Sequence, residues 1–169
     1  MRWINWLFAA GFVAILPLHG QVAGGSIDVP AGAHVLLQAR GDGAQVYRCA
    51  SGADGLKWTL LGPDAKLLNA DGEQIGRHFT GPTWKLTDGS AVQGELMASQ
   101  PSPDAGSVAW LLLRAKAGSA SGQLATVAYI RRTDTKGGVA DKAACHDSAQ
   151  AGKIVRAHYT ATYTFYSEK

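Results

Sequence analysis

The sequence predicts an all-β fold, a single-domain antiparallel sandwich or jelly-roll-like barrel of about ten short strands. Three observations carry this. Short runs of apolar and β-branched residues recur between turn signals every 8–12 residues, the spacing of sandwiches and barrels. The 169 residues include 21 glycines but only 17% charged residues, whereas a helical bundle needs Lys and Glu on its exposed faces. No amphipathic helix of three turns is present, and at most one short helix fits, at residues 140–152.

The chain begins with an address. Met1 and Arg2 give a basic start, and an apolar run from Trp3 to Leu18 follows, then small residues up to Gly25. This order is that of a secretory signal peptide, residues 1–24, with Val22 and Gly24 suiting the positions before the cut. A membrane anchor needs about 20 apolar residues; this run is shorter and carries Pro17. The expectation is export, to the periplasm or the medium, with residues 25–169 forming one β domain. No membrane insertion is expected once the signal is removed. Without Arg2 the formal charge falls from +3 to 15 − 13 = +2. So small a balance does not point to nucleic acid.

The strands are read in order. Val35–Ala39 precedes a turn signal at Arg40-Gly41-Asp42-Gly43. Gln45–Cys49, Lys57–Leu61 and Lys66–Asn69 follow, the last two separated by Gly62-Pro63-Asp64. Gln74–Phe79 and Thr83–Leu86 flank Gly81-Pro82. Asp88-Gly89 is a hairpin signal before Ala91–Ala98. Ser107–Ala115 contains the unbroken apolar run Val108–Leu113, so both of its faces should be covered. Gln123–Arg132 comes next. Ile154–Tyr166 alternates, with Val155, Ala157, Tyr159, Ala161, Tyr163 and Phe165 on the core face.

Two cysteines, Cys49 and Cys145, lie in the exported part. An even count in an oxidising compartment reads as one disulfide. Isolated cysteines without a Cys-x-x-Cys partner seldom act as metal ligands.

A resemblance follows from several stretches taken in order: Gly76-Arg77-His78-Phe79-Thr80-Gly81-Pro82-Thr83-Trp84 with Asp88-Gly89-Ser90, Trp110-Leu111-Leu112-Leu113, Thr135-Lys136-Gly137-Gly138 with Cys145, and Tyr159 through Tyr166. Together they resemble a secreted bacterial and fungal family known as domain of unknown function 3455, over about residues 30–168. The resemblance implies no settled activity. No Gly-x-Gly-x-x-Gly follows a strand, so a dinucleotide fold is not expected.

Residues 78–90 form the densest polar-aromatic cluster. A turn at Gly81-Pro82 should bring His78, Trp84 and Asp88 toward one small pocket, with Trp84 as its apolar wall. The competing structural reading is a packed Trp and a His bonded to backbone. His146, next to Cys145, and His158, on the polar face of the last strand, are further ligand-binding candidates. No His-x-His or His-Glu-x-x-His spacing occurs, so no metal site is assigned and the cofactor is unknown. Ser90, His78 and Asp88 make a triad only on paper. Asp88 and Glu95 are the available acid/base pair for glycoside chemistry. Arg131, Arg132 and Lys136 form a basic knot that reads as a solvated strand end or a contact for an anionic surface. The function expected is a binding or structural module for a small ligand or an envelope glycan. The alternative is an extracytoplasmic enzyme, either a carbohydrate hydrolase or a metal-dependent oxidoreductase.

Overall fold

The computed structural model describes residues 25–168. The signal-peptide reading of residues 1–24 lies outside the described residues. Among the described residues eight strands form one antiparallel sheet: β1 (His34–Gly52), β2 (Gly55–Leu68), β3 (Gln74–Phe79), β4 (Thr83–Leu86), β5 (Ala91–Gln100), β6 (Trp110–Gly118), β7 (Val127–Gly137) and β8 (Ile154–Ser167). Each pairs with its neighbour in sequence, and β8 pairs back onto β1, so the sheet closes into a barrel. The connectivity is an up-and-down meander rather than the crossed connections of a jelly roll.

Ten expected strands become eight because two turn signals lie inside strands. Arg40–Gly43 continues β1, and Gly62-Pro63-Asp64 continues β2. The glycines serve close approach rather than chain reversal. A Cβ on Gly41 would sit 2.5 Å from the Tyr163 ring, and one on Gly43 would sit 2.3 Å from the Asp64 carbonyl. The Asp88-Gly89 signal does make its hairpin, with Gly89 at φ +87°. In place of one short helix, the β7–β8 connection holds two single 3₁₀ turns, Lys142–Ala144 and Ser148–Gln150.

The barrel interior is the main core. Leu67, Trp84, Ile130, Tyr159, Tyr163 and Phe165 are enclosed there. The core face of β8 is the alternating set read from the sequence. The unbroken run in β6 also has its physical reason. Leu111 and Leu113 pack on the interior cluster, while Leu112 lies outside with Tyr129 and Tyr166 under the N-terminal segment, where Ile27 covers them.

Cys49 and Cys145 form a disulfide across a separation of 96 residues. Connections in a meander alternate between barrel ends, so the β1–β2, β3–β4, β5–β6 and β7–β8 connections share one end. The disulfide pins the last of these to β1. Backbone bonds from Cys49 N to Lys153 O and from Gly152 N to Cys49 O reinforce it. Among the described residues no helix is long and apolar enough to cross a membrane. That and the disulfide are compatible with an exported protein.

Candidate functional site

Eight strands give a barrel interior just wide enough to be filled by side chains or to hold one small ligand. Here it is filled toward one end and opens at the other, beside the β3–β4 turn, into a cavity of about 270 Å³. Residues that the alternation directs inward build it: Gln45 from β1, His78 from β3, Trp84 from β4, Arg132 from β7 and Tyr163 from β8. The mouth is apolar. At the β2 bulge Val46 pairs with Gly62 and Tyr47 with Leu60, leaving Leu61 as the extra residue. Bulges re-aim side chains near sites, and this one places Leu60 and Leu61 at the mouth, 52% and 40% exposed. The Thr80 hydroxyl donates to Leu61 O at 2.7 Å and holds the bulge against the β3–β4 turn.

His78 and Trp84 are cross-strand partners on the same face. Their rings stack with centroids 4.3 Å apart and planes 6° apart. Tyr163 meets both edge-on, at 5.0 Å from His78 and 5.5 Å from Trp84. His78 Nδ1 lies 2.9 Å from the Thr83 carbonyl. A carbonyl only accepts, so the neutral ring carries its proton on Nδ1 and presents Nε2 as an acceptor. Burial pushes the His78 pKa down to about 3, against the opposing pull of the Thr83 bond; the charge of Arg132 adds to the fall. Burial likewise raises the phenols of Tyr159 and Tyr163, whose hydroxyls share a 3.0 Å hydrogen bond. Among the described residues Gln45 Nε2 and Trp84 Nε1 are buried donors without a partner, as are Trp110 Nε1 and Arg131 Nε on the outer side of the sheet.

The neutral imidazole makes stability depend on pH. The unfolded ring binds a proton near pH 6.5, and the folded one only near pH 3. The unfolded state therefore holds more protons in that window, so stability rises with pH through it and is lost as pH falls. Between pH 7 and pH 5 this histidine should remove about 2 kcal/mol. A His78→Phe variant should lose about that much less than the wild type in urea unfolding over the same interval. Parallel losses in the two proteins would contradict the burial of a neutral ring.

The other sequence candidates lie elsewhere. Asp88 stands at the β4–β5 turn, not in the cavity. Its carboxylate accepts from Gln123 N and Ser90 N, both at 2.9 Å, and from the Ser90 hydroxyl at 2.6 Å. The Gln123 amide, followed by Ser90, holds its pKa below the usual carboxylate value. Asp88 thus ties the β4–β5 turn to the β6–β7 connection, and the expectation that it joins His78 and Trp84 in one pocket is corrected. Ser90 is taken up in the same lock, so the paper triad is not assembled. Glu95 is exposed on β5, cross-strand from Arg114. His146 lies in the β7–β8 connection, its Nδ1 against Ala143 O and its backbone N–H donating to Gln150. His158 is on the outer face of β8, 3.1 Å from Asp42. Among the described residues no three His, Cys, Asp or Glu side chains group to hold a metal.

Gln45 and Arg132 were not singled out for the cavity from the sequence, although a signal existed. Arg132 is two residues from Ile130, which is wholly buried in the core, so period two directs it inward. Its Nε and Nη2 donate to Ala109 O at 3.0 and 2.8 Å. The basic knot is thereby divided: Arg132 lines the cavity, Arg131 lies over the Tyr166 ring outside, and Lys136 pairs with Asp104.

The described residues thus form an eight-stranded up-and-down barrel with a polar-aromatic cavity open at the disulfide-braced end. Within that class the chain belongs to a family described as a protein of unknown function, DUF3455, whose model matches residues 30–167. No curated protein and no solved structure matches it.

Proposed function

We propose that the protein is an exported binding module that holds one small ligand in the cavity beneath Leu60 and Leu61. The observation that carries this is the cavity wall itself. Exposed Leu60 and Leu61 stand at the mouth of a space of about 270 Å³ whose walls set the polar side chains of Gln45, His78, Arg132 and Tyr163 among apolar ones. A concave, mostly apolar site with a few placed polar groups is the usual form of a small-ligand pocket. A cavity of this size suits a small molecule better than an extended glycan chain. The outward faces carry Arg40, Lys66, Arg77, Lys85 and Arg114, the opposite of a lipid-facing barrel, which supports a water-exposed body.

No observation favours an enzyme over this reading. The Thr80 hydroxyl is committed to the β2 bulge, and His78 is neutral with its Nδ1 committed to Thr83.

The test is a protein-observed NMR screen of small metabolite-like compounds. At least one compound should shift the Trp84 indole N–H and the Gly81 amide. Leu61→Trp, which fills the mouth from an exposed position, should abolish that shift. A screen without binders, or binding that survives Leu61→Trp, would overturn the proposal.

A further inference from the structure

We infer that the ligand is a small organic monocarboxylate with an apolar body, its carboxylate held by Arg132; this rests on the binding reading above. Arg132 is a half-buried cation with no carboxylate partner among the described residues. The ion pairs there take Arg40, Arg77, Lys136, Arg156 and His158 instead. No Asp or Glu lines the cavity. The two bonds Arg132 makes to Ala109 O orient the guanidinium but leave its charge uncompensated. A guanidinium carries five N–H groups; two go to Ala109 O and the Tyr163 hydroxyl engages the group as well, which leaves donors for a ligand. Its charge reaches Tyr47, His78, Tyr159 and Tyr163: it adds to the fall that burial causes at His78 and opposes the rise that burial causes at the three phenols. His78 is neutral and adds no second cation. A half-buried guanidinium at a cavity wall attracts an anion more strongly than one in open water, and a carboxylate matches its planar fork.

The remaining walls set the rest of the ligand. Leu60, Leu61, Pro63, Pro82, Leu111 and Leu113 offer no polar side-chain atom. One cation among such walls fits one negative charge on a hydrocarbon body, and it suits an inorganic dianion poorly. Pockets for drug-sized ligands span roughly 300–1,000 Å³. A cavity of about 270 Å³ therefore takes one ring or a short chain.

The experiment is calorimetric titration of the wild-type protein with benzoate and hexanoate, with the uncharged benzamide and hexanamide, and with inorganic phosphate. The carboxylates should bind at least tenfold more tightly than their amides, and more tightly than phosphate. Arg132→Gln should reduce carboxylate affinity at least tenfold and leave amide binding unchanged. Arg132→Lys, which keeps the charge and loses the fork, should fall between. Amides binding as well as acids would overturn the carboxylate assignment while leaving the binding module standing. Phosphate binding more tightly than the acids would make this a plain anion site and overturn it too. No binding by any acid or amide, together with a negative NMR screen, would overturn both readings. If either variant fails to fold, the acid–amide comparison on the wild type decides.

Discussion

Replacing Trp84 by alanine is expected to destabilise the protein by about 3–5 kcal/mol, the usual cost of emptying a large aromatic site in a core. The ring is 1% exposed and contacts three aromatic neighbours. His78 stacks on one face, and Tyr163 and Phe165 meet it edge-on, the latter at 6.0 Å. Aromatic pairs add to burial through their quadrupoles. The backbone has made room for this ring, since a Cβ on Gly94 would stand 3.1 Å from Trp84 Cζ3. Neighbours so constrained will not collapse into the void. Urea unfolding followed by far-ultraviolet circular dichroism gives the loss without relying on the deleted fluorophore. A loss below about 1 kcal/mol would show that the barrel repacks, and that this end is softer than its contacts imply.

Removal of the disulfide is the second large effect. Cys49→Ser with Cys145→Ser should cost about 2–5 kcal/mol, and the chain-entropy model puts a loop of this length near 4.7 kcal/mol. The loss should also have a place. Amide exchange at Gly152 and Cys49, whose N–H groups bond across the same junction, should quicken before the rest of the sheet. Cys49 is fully buried and Cys145 nearly so. Reductant alone should therefore leave the folded wild type oxidised, while reductant with denaturant should open it. Rapid reduction of the native protein would mean that the β7–β8 connection lifts off the barrel.

Much of the barrel was legible where period and burial coincide. The alternation from Val155 to Phe165 became part of β8, and Trp110–Leu113 of the apolar run became the start of β6, covered on both faces, while Val108 and Ala109 precede the strand. Asp88-Gly89 made its hairpin because the glycine adopts a positive φ there. The errors share a cause. Gly41, Gly43 and Gly62 look like turn residues, but glycine also occurs where another chain passes too close for a Cβ. A sequence cannot separate those uses without knowing what lies across the sheet. The site was half legible for a similar reason. His78 and Trp84 are two strands' worth of one hairpin, so a local cluster revealed them. Asp88 shares the cluster but faces the other way, toward the β6–β7 connection. Arg132 and Gln45 reach the cavity only through barrel closure, and their one local mark is being polar in phase with the core.

Barrel closure also sets the order of events while the protein is being made. β1 needs β8 along nearly its whole length, and β8 begins only at Ile154. Translation proceeds at about 5–20 residues per second, so the first strand waits on the order of ten seconds for its seam partner. Contacts this distant along the chain also form slowly once both strands exist. Until Ile154–Ser167 has been made the sheet cannot close, and β1 keeps one edge without its partner strand.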